Sequence, residues 1–312
     1  MKHTVKITLI LISMFFIAQL IGIYVAHVYL PEIKQVVNQT TGEVTNQTIY
    51  NLPYGLDPPA DIKPQESIIS IIIALIIAVC LMLLLMKLKV DNFLRLWFTI
   101  VVILGIAIAL NAILIKVNNA AIIAVIIAIP LGILKIFHRN MIVHNATELL
   151  IYPGIATVFI PILNVWAVVV LLIIISLYDM GAVWHAGFMQ KMAKYQMPKL
   201  KLFSGFFVPY IKKEDRLMLK QAKKDGKKMK KIRVNLAILG GGDVVFPILL
   251  AGVVLRTFNS VWPALIISIG ATLALAFLFY KSEKGKFYPA MPFISIGCLI
   301  ALGIVYLITY LI

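Results

Sequence analysis

The amino-acid sequence predicts an all-α polytopic membrane protein with nine transmembrane helices. Of its 312 residues, 62% are hydrophobic and only 13% are charged, and the mean hydropathy is +0.98. A soluble domain could not bury so large an apolar share. The apolar residues also form runs close to the roughly 20 helical residues that cross a bilayer. We therefore expect a single membrane-embedded unit.

Nine apolar runs, each bounded by charged or turn residues, account for the predicted helices. The first run follows Lys2 and Lys6 and is longer than the apolar part of a typical cleavable signal peptide, so it is predicted to be a membrane anchor. Only a turn near Asn164 separates the fifth run from the sixth. The approximate bounds are 5–30, 67–86, 94–115, 119–137, 148–163, 164–186, 233–255, 261–280 and 288–312.

Two connections between the runs are long. Residues 31–66 are predicted to form an external loop, and residues 187–232 a basic cytoplasmic loop. The chain is thereby divided into residues 1–186 with six predicted helices, the loop 187–232, and residues 233–312 with three predicted helices. The other connections are short, so we expect no separate soluble domain.

The distribution of basic residues predicts the orientation in the membrane. The formal net charge is +16, but the basic residues lie between apolar runs rather than on a solvated face, so we expect no nucleic-acid partner. Cytoplasmic connections carry the excess of Lys and Arg. With nine crossings, all but four of the Lys and Arg residues fall on the side of the N-terminus and of the loop 187–232. Lys135 and Arg139 are among the residues on this side. This side is predicted to be cytoplasmic, with the C-terminus outside and the cell membrane as the location. The four exceptions are Lys34, Lys63, Lys116 and Arg256.

Two aspartates interrupt predicted helices, where an ionisable group is costly and therefore indicates function. Asp179 lies in the sixth run and Asp243 in the seventh, equally far along the chain from the inner basic residues Lys191 and Lys231. If both stretches are helical, each aspartate lies on the order of 18 Å from its basic residue. Because the two helices run antiparallel, the two carboxyls are expected to meet.

Two carboxyls that are close in a low dielectric cannot both ionise, so they would share a proton. The ionised member can take a proton from an attacking water, and the protonated member can protonate the leaving group of a peptide bond. Paired membrane carboxylates also serve proton-coupled or cation-coupled transporters, which is the alternative from another class. The sequence contains no zinc-protease or serine-protease motif, and it implies no metal and no organic cofactor.

Three motifs resemble those of the presenilin and signal peptide peptidase family of intramembrane aspartyl proteases. Tyr178-Asp179 resembles the family's YD motif, and Gly240-Gly241-Gly242-Asp243 resembles its GxGD motif. Tyr288-Pro289-Ala290-Met291-Pro292 stands where the family carries Pro-Ala-Leu, with Met in place of Leu. The resemblance implies a nine-helix, presenilin-like fold, Asp179 and Asp243 as catalytic residues, and a substrate-binding site formed by Tyr178, Gly240, Gly241, Gly242, Pro289, Ala290 and Met291.

The predicted cytoplasmic loop between the two aspartates resembles the presenilin branch of the family. By that resemblance, the substrates would be single-span membrane proteins with an external N-terminus, and the compact loops indicate a microbial, archaeal homologue. A prepilin or preflagellin type of GxGD peptidase is a second alternative, although such enzymes have fewer helices. The lipid bilayer is an expected partner, a homo-oligomer is compatible with the sequence, and no accessory subunit is required by it.

Several of these residues also have purely structural interpretations. Tyr178 could orient Asp179 or fill a helix interface. The three glycines could admit a substrate backbone or let helices pack closely. Pro289 could shape a helix start, and Glu148 is expected to pair with another helix.

Overall fold

The computed structural model describes most of the chain. Most of the predicted second helix, 67–86, and most of the loop 187–232 lie outside the described residues. The described residues are 5–37, 44–58, 90–138, 140–184, 204–210, 235–283 and 288–311, together with isolated positions between 70 and 88.

Eight α-helices form the framework of the described residues, and seven of them have the length and apolar composition of a membrane span. The predicted helical membrane framework is thereby confirmed. The count of nine helices is not confirmed and stays a prediction, since the predicted span 67–86 is largely undescribed. The helices are α1 (Val5–Val28), α2 (Asp91–Ile113), α3 (Ala120–Phe137), α4 (Met141–Phe159), α5 (Val165–Trp184), α6 (Gly241–Phe258), α7 (Val261–Lys281) and α8 (Met291–Leu311).

Helix α4 is the one described helix without the composition of a candidate span. It also begins before the predicted start at residue 148. Asn140 caps its first turn, because the Asn140 side chain accepts hydrogen bonds from the backbone N–H groups of Ile142 and Val143. The additional turns carry polar side chains, which a search for apolar runs passes over.

Two short antiparallel hairpins accompany the helices, and the sequence analysis did not predict them. One lies in the predicted external loop, and the other pairs a segment inside the predicted basic loop 187–232 with the segment that follows this loop. The hairpins consist of β1 (Glu32–Val37) with β2 (Val44–Ile49), and of β3 (Gly205–Tyr210) with β4 (Asn235–Gly240).

Strand β4 corrects the predicted seventh helix, which was expected to begin at residue 233. The chain is extended up to Gly240 and becomes helical only at Gly241, so Asp243 lies in the first turn of α6. A short apolar run such as 236–239 does not distinguish a strand from a helix, and glycine disfavours helix. An extended residue advances about 3.3 Å against 1.5 Å in a helix, so the helical estimate of the depth of Asp243 is also wrong.

The helices pack so that the two aspartate-bearing helices are neighbours. Helix α5 contacts both α6 and α8, and α6 also packs against α1, α4 and α7. Close helix approach occurs where glycines face each other. A Cβ added to Gly154 would lie 1.9 Å from the carbonyl oxygen of Gly105, and one added to Gly297 would lie 2.5 Å from that of Gly270. These contacts hold α2 against α4 and α7 against α8.

Candidate active site

Asp179 lies in the last two turns of α5, and its carboxyl meets the start of α8. The residue is only 8% exposed. Its Oδ2 accepts a hydrogen bond of 3.1 Å from the backbone N–H of Met291. Met291 is the first residue of α8, and the first N–H groups of a helix have no partner within it. Asp179 therefore caps α8 with its side chain.

A second contact fixes Asp179 relative to α8. The hydroxyls of Ser176 and Ser295 lie 2.8 Å apart, one helical turn away from Asp179 and from Met291 respectively. Ser176 also donates to the carbonyl of Leu172 in its own helix. The two contacts at consecutive turns define both the rotation and the height of α5 against α8.

Asp243 approaches Asp179 from the first turn of α6. Its side chain is partly buried, and the carboxyls of Asp179 and Asp243 are close enough to interact electrostatically. Oδ2 of Asp243 is turned back toward the end of β4, because a Cβ built on Gly240 would lie 3.1 Å from it. On the opposite side, the buried Gln19 of α1 donates a 3.1 Å hydrogen bond to the carbonyl of Val244. The backbone on both sides of Asp243 is thus held by the fold.

The three glycines before Asp243 occupy different environments. Gly240 is the extended N-cap residue of α6. Gly241 is buried, and a Cβ there would lie 2.8 Å from Cε1 of Tyr152 and 2.9 Å from its hydroxyl oxygen. Gly242 is exposed, and a Cβ there would make only an ordinary contact of 3.7 Å with Phe246. Helix packing therefore requires Gly241, whereas the open face lies at Gly242.

Of the remaining predicted site residues, Pro289, Ala290 and Met291 lie beside Asp179, whereas Tyr178 is exposed. Pro289 and Met291 are buried and Ala290 is partly exposed. The backbone N–H groups of Ala290 and Met291 face the carboxyl of Asp179. Tyr178 is 56% exposed and does not fill a helix interface. Among the described residues, it makes no hydrogen bond to Asp179.

Sequence reasoning missed a buried polar group on α4 that contacts β3. Its members are His144, Asn145 and Glu148, which lie next to one another on the helix surface. Lys135 of α3 completes the group by an ion pair with Glu148. The sequence analysis counted Lys135 among the basic residues of the cytoplasmic side, but its side chain is buried in the structure, with 7% exposure. The expected helix pairing of Glu148 is confirmed. The only sign of this group in the sequence was that His144, Asn145 and Glu148 follow one another closely before an apolar run.

No group of three or more His, Cys, Asp or Glu side chains with the arrangement of a metal site is found in the described part of the chain. Among the described residues, the polar partners of the two aspartates are backbone N–H groups, those of Ala290 and Met291 for Asp179 and that of Gly240 for Asp243.

Comparison with known proteins yields one family and one fold. Residues 54–312 match the family described as signal-peptide peptidase, presenilin aspartyl protease. The chain is also similar to two solved structures of a presenilin family intramembrane aspartate protease, in space groups C222 and P2. The first has a TM-score of 0.56 at 16% identity, with 94% of each chain covered. The second has a TM-score of 0.55 at 18% identity, covering 94% of this chain and 95% of the other. No curated protein gives a significant match.

Proposed function

Because this chain belongs to the signal-peptide peptidase and presenilin aspartyl protease family, we propose that Asp179 and Asp243 are the catalytic pair with which it hydrolyses peptide bonds inside the membrane. The prediction of an intramembrane aspartyl protease is confirmed by the family, and the presenilin-like fold agrees with it. Nothing in the comparisons favours a transporter. The observation that carries our assignment of the site is the placement of the two aspartates on neighbouring helices, with Asp179 near the end of α5 and Asp243 in the first turn of α6.

Asp179 is suited to be the ionised member of the pair. Its carboxylate accepts a hydrogen bond from the first N–H of α8, where the partial positive charge of a helix N-terminus stabilises an anion. We assign it the role of the base that accepts a proton from the attacking water. The Ser176 to Ser295 contact keeps the carboxylate facing α8 during this step.

Asp243 then acts as the protonated member. It would hydrogen-bond to the scissile carbonyl, stabilise the developing oxyanion and deliver a proton to the leaving nitrogen. Its position in the first turn of α6 places it beside the exposed backbone of Gly242. No side chain at Gly242 obstructs the approach of a substrate backbone to this carboxyl.

Strand β4 offers the substrate a place to bind in an extended form. In an antiparallel pair, the N–H and C=O of one residue point to the same side. The backbone N–H and C=O groups of Phe207 point toward α4 and therefore away from β4. Its partner Ile238 consequently directs its own N–H and C=O groups away from β3. Within the described residues, no hydrogen bond reaches the backbone of Leu236 or Ile238 on that edge, and their side chains are 46% and 43% exposed. We propose that an unwound substrate segment pairs there, because β4 leads directly to Asp243.

The stretch Pro289–Met291 remains our second proposed substrate contact. It lies beside Asp179 and precedes α8, and Ala290 is the partly exposed member. Tyr178, exposed one position before Asp179, is proposed to contact the substrate on the same side.

The charge distribution supports an orientation with the N-terminus and the loop 187–232 in the cytoplasm and the C-terminus outside. In that orientation β3, which lies within the loop, and β4, which follows it, lie at the cytoplasmic side of the site. We propose that the substrates are single-span proteins with an external N-terminus, cleaved near their cytoplasmic half.

The activity is tested with purified protein in liposomes, a single-span reporter and water enriched in oxygen-18. The proposal expects a cut inside the span and one heavy oxygen in the new carboxyl group, since water is the nucleophile. A set of reporters left intact, together with proton flux under an imposed gradient, would instead favour the transporter.

A further inference from the structure

The first half of α4 carries a polar cluster that the proposed catalytic steps do not use. We call His144, Asn145 and Glu148 the α4 polar cluster. The three residues are 8%, 8% and 1% exposed. Buried polar groups are costly unless they are hydrogen-bonded, so the partners of this cluster indicate what it does.

Asn145 makes a two-point contact with a single residue of β3. Its Nδ2 donates to the carbonyl of Phe207 at 2.9 Å, and its Oδ1 accepts from the backbone N–H of Phe207 at 3.2 Å. One residue of a neighbouring strand would make the same pair of bonds. The side-chain amide therefore stands in for a strand backbone.

The other two members of the cluster serve Gly205 in the same way. His144 donates from Nε2 to the carbonyl of Gly205 at 2.9 Å, and Glu148 accepts from the backbone N–H of Gly205 at 3.3 Å. Lys135 forms an ion pair with Glu148 and compensates its buried charge. The ring of His144 also lies 4.7 Å from that of Phe207, which fixes the direction of the imidazole.

These contacts close one edge of the hairpin. Gly205, Phe207 and Pro209 are the residues of β3 whose backbone faces away from β4, given the register with Gly240 and Ile238. The first two are satisfied by the α4 polar cluster, and Pro209 has no N–H to satisfy. The opposite strand β4 ends at Gly240, directly before α6 and Asp243.

We infer that Asn145, together with His144 and Glu148, acts as a surrogate third strand whose positioning of β3 and β4 sets the place of Asp243 and restricts substrate pairing to the outer edge of β4. The inference rests on the proposed catalytic role of Asp243. The cluster touches no reacting atom, so its members are positioning residues. The cluster holds β3, β3 pairs with β4, and β4 leads into the first turn of α6, which carries Asp243.

The test compares Asn145→Leu with Thr147→Val in the full-length protein. Thr147 is buried on the same helix, but its hydroxyl bonds only to the carbonyls of Val143 and His144 in α4 itself. We expect Asn145→Leu to lose amide protection from hydrogen exchange across 205–210, to lower kcat at least tenfold, and to spread cleavage over neighbouring peptide bonds. Thr147→Val is expected to keep the protection, the rate and the cut position of the wild type.

A spread of cut positions separates positioning from a purely structural role, since loss of fold lowers the amount of product without moving the cut. If Asn145→Leu does not fold, Asn145→Ser is measured, because serine is smaller and cannot span both groups of Phe207. Wild-type protection at 205–210, or a single wild-type cut at the wild-type rate, in a folded Asn145 variant would overturn the inference.

An Asp243→Asn variant in the same assay separates this inference from the proposed function. If Asp243→Asn is inactive while the Asn145 variants behave as wild type, the positioning role is wrong and the catalytic proposal stands. If Asp243→Asn cleaves normally, the catalytic proposal itself is wrong.

Discussion

The backbone N–H of Met291 donates a hydrogen bond of 3.1 Å to Oδ2 of Asp179, so one residue of the proposed catalytic pair also caps the helix that follows the Pro-Ala-Met run. The contact spans two segments far apart in the chain. The Pro-Ala-Met run therefore contacts the proposed catalytic pair through a backbone N–H group. Having Met rather than Leu at position 291 does not alter this backbone contact.

Replacing Met291 by proline removes that donor without breaking the helix, since proline is accepted in the first turn. A hydrogen bond to a charged group contributes about 1.5–3 kcal/mol. We therefore expect Met291→Pro to lower kcat about tenfold or more in the reporter assay. Met291→Leu keeps the N–H and should cleave near the wild-type rate. Equal rates for the two variants would show that the contact does not matter for catalysis.

The glycines before Asp243 should respond differently to the same added methyl group. Gly241→Ala would overlap Tyr152, and overpacking of this kind costs about 1–3 kcal/mol, so a lower thermal unfolding midpoint is expected. Gly242→Ala meets only an ordinary contact, and its stability should change by less than about 0.5 kcal/mol. Its methyl group faces the proposed substrate approach, so KM should rise. If Gly242→Ala is less stable than Gly241→Ala, the assignment of a packing role to Gly241 and of an open position to Gly242 is wrong.

The buried pair of Lys135 and Glu148 should behave as a unit. Lys135→Met leaves the Glu148 charge without its partner, which costs about 3–5 kcal/mol in buried pairs. The double variant Lys135→Met, Glu148→Gln removes both charges and should recover most of the lost stability. Thermal unfolding in detergent of the single and double variants measures the coupling. Additive losses in the double variant would argue against an ion pair between these residues.

Arg256 should stabilise the outer end of the helices without contributing to catalysis. Its guanidinium donates to the carbonyls of Ile160, Pro161 and Leu163 in the turn between α4 and α5. Arg256 lies about 20 Å along α6 from Asp243. We expect Arg256→Met to lose about 2 kcal/mol of stability while kcat at low temperature stays unchanged. An Arg256→Met variant with normal stability and a reduced kcat would contradict a purely structural role for Arg256.

The sequence predicted the parts of this protein that follow from residue type and spacing. Asp179 and Asp243 were found because a carboxyl in an apolar run is costly, and the helices were found because bilayer thickness sets their length. Strand β4 was missed because the apolar stretch Leu236 to Leu239 has no periodicity that separates strand from helix. The bonds from Asn145 to Phe207 join residues that no local pattern relates, so only the folded chain shows them.

The most direct test of the central claim is reporter cleavage by Asp179→Asn and Asp243→Asn, with Asp57→Asn as a matched control outside the site. Asp57 accepts a hydrogen bond from the N–H of Leu52 within the predicted external loop, and its asparagine variant keeps that acceptor. The account predicts that both site variants fold but give no product, whereas Asp57→Asn cleaves as the wild type does. A folded Asp179→Asn or Asp243→Asn variant that cuts the reporter at the wild-type rate would contradict it.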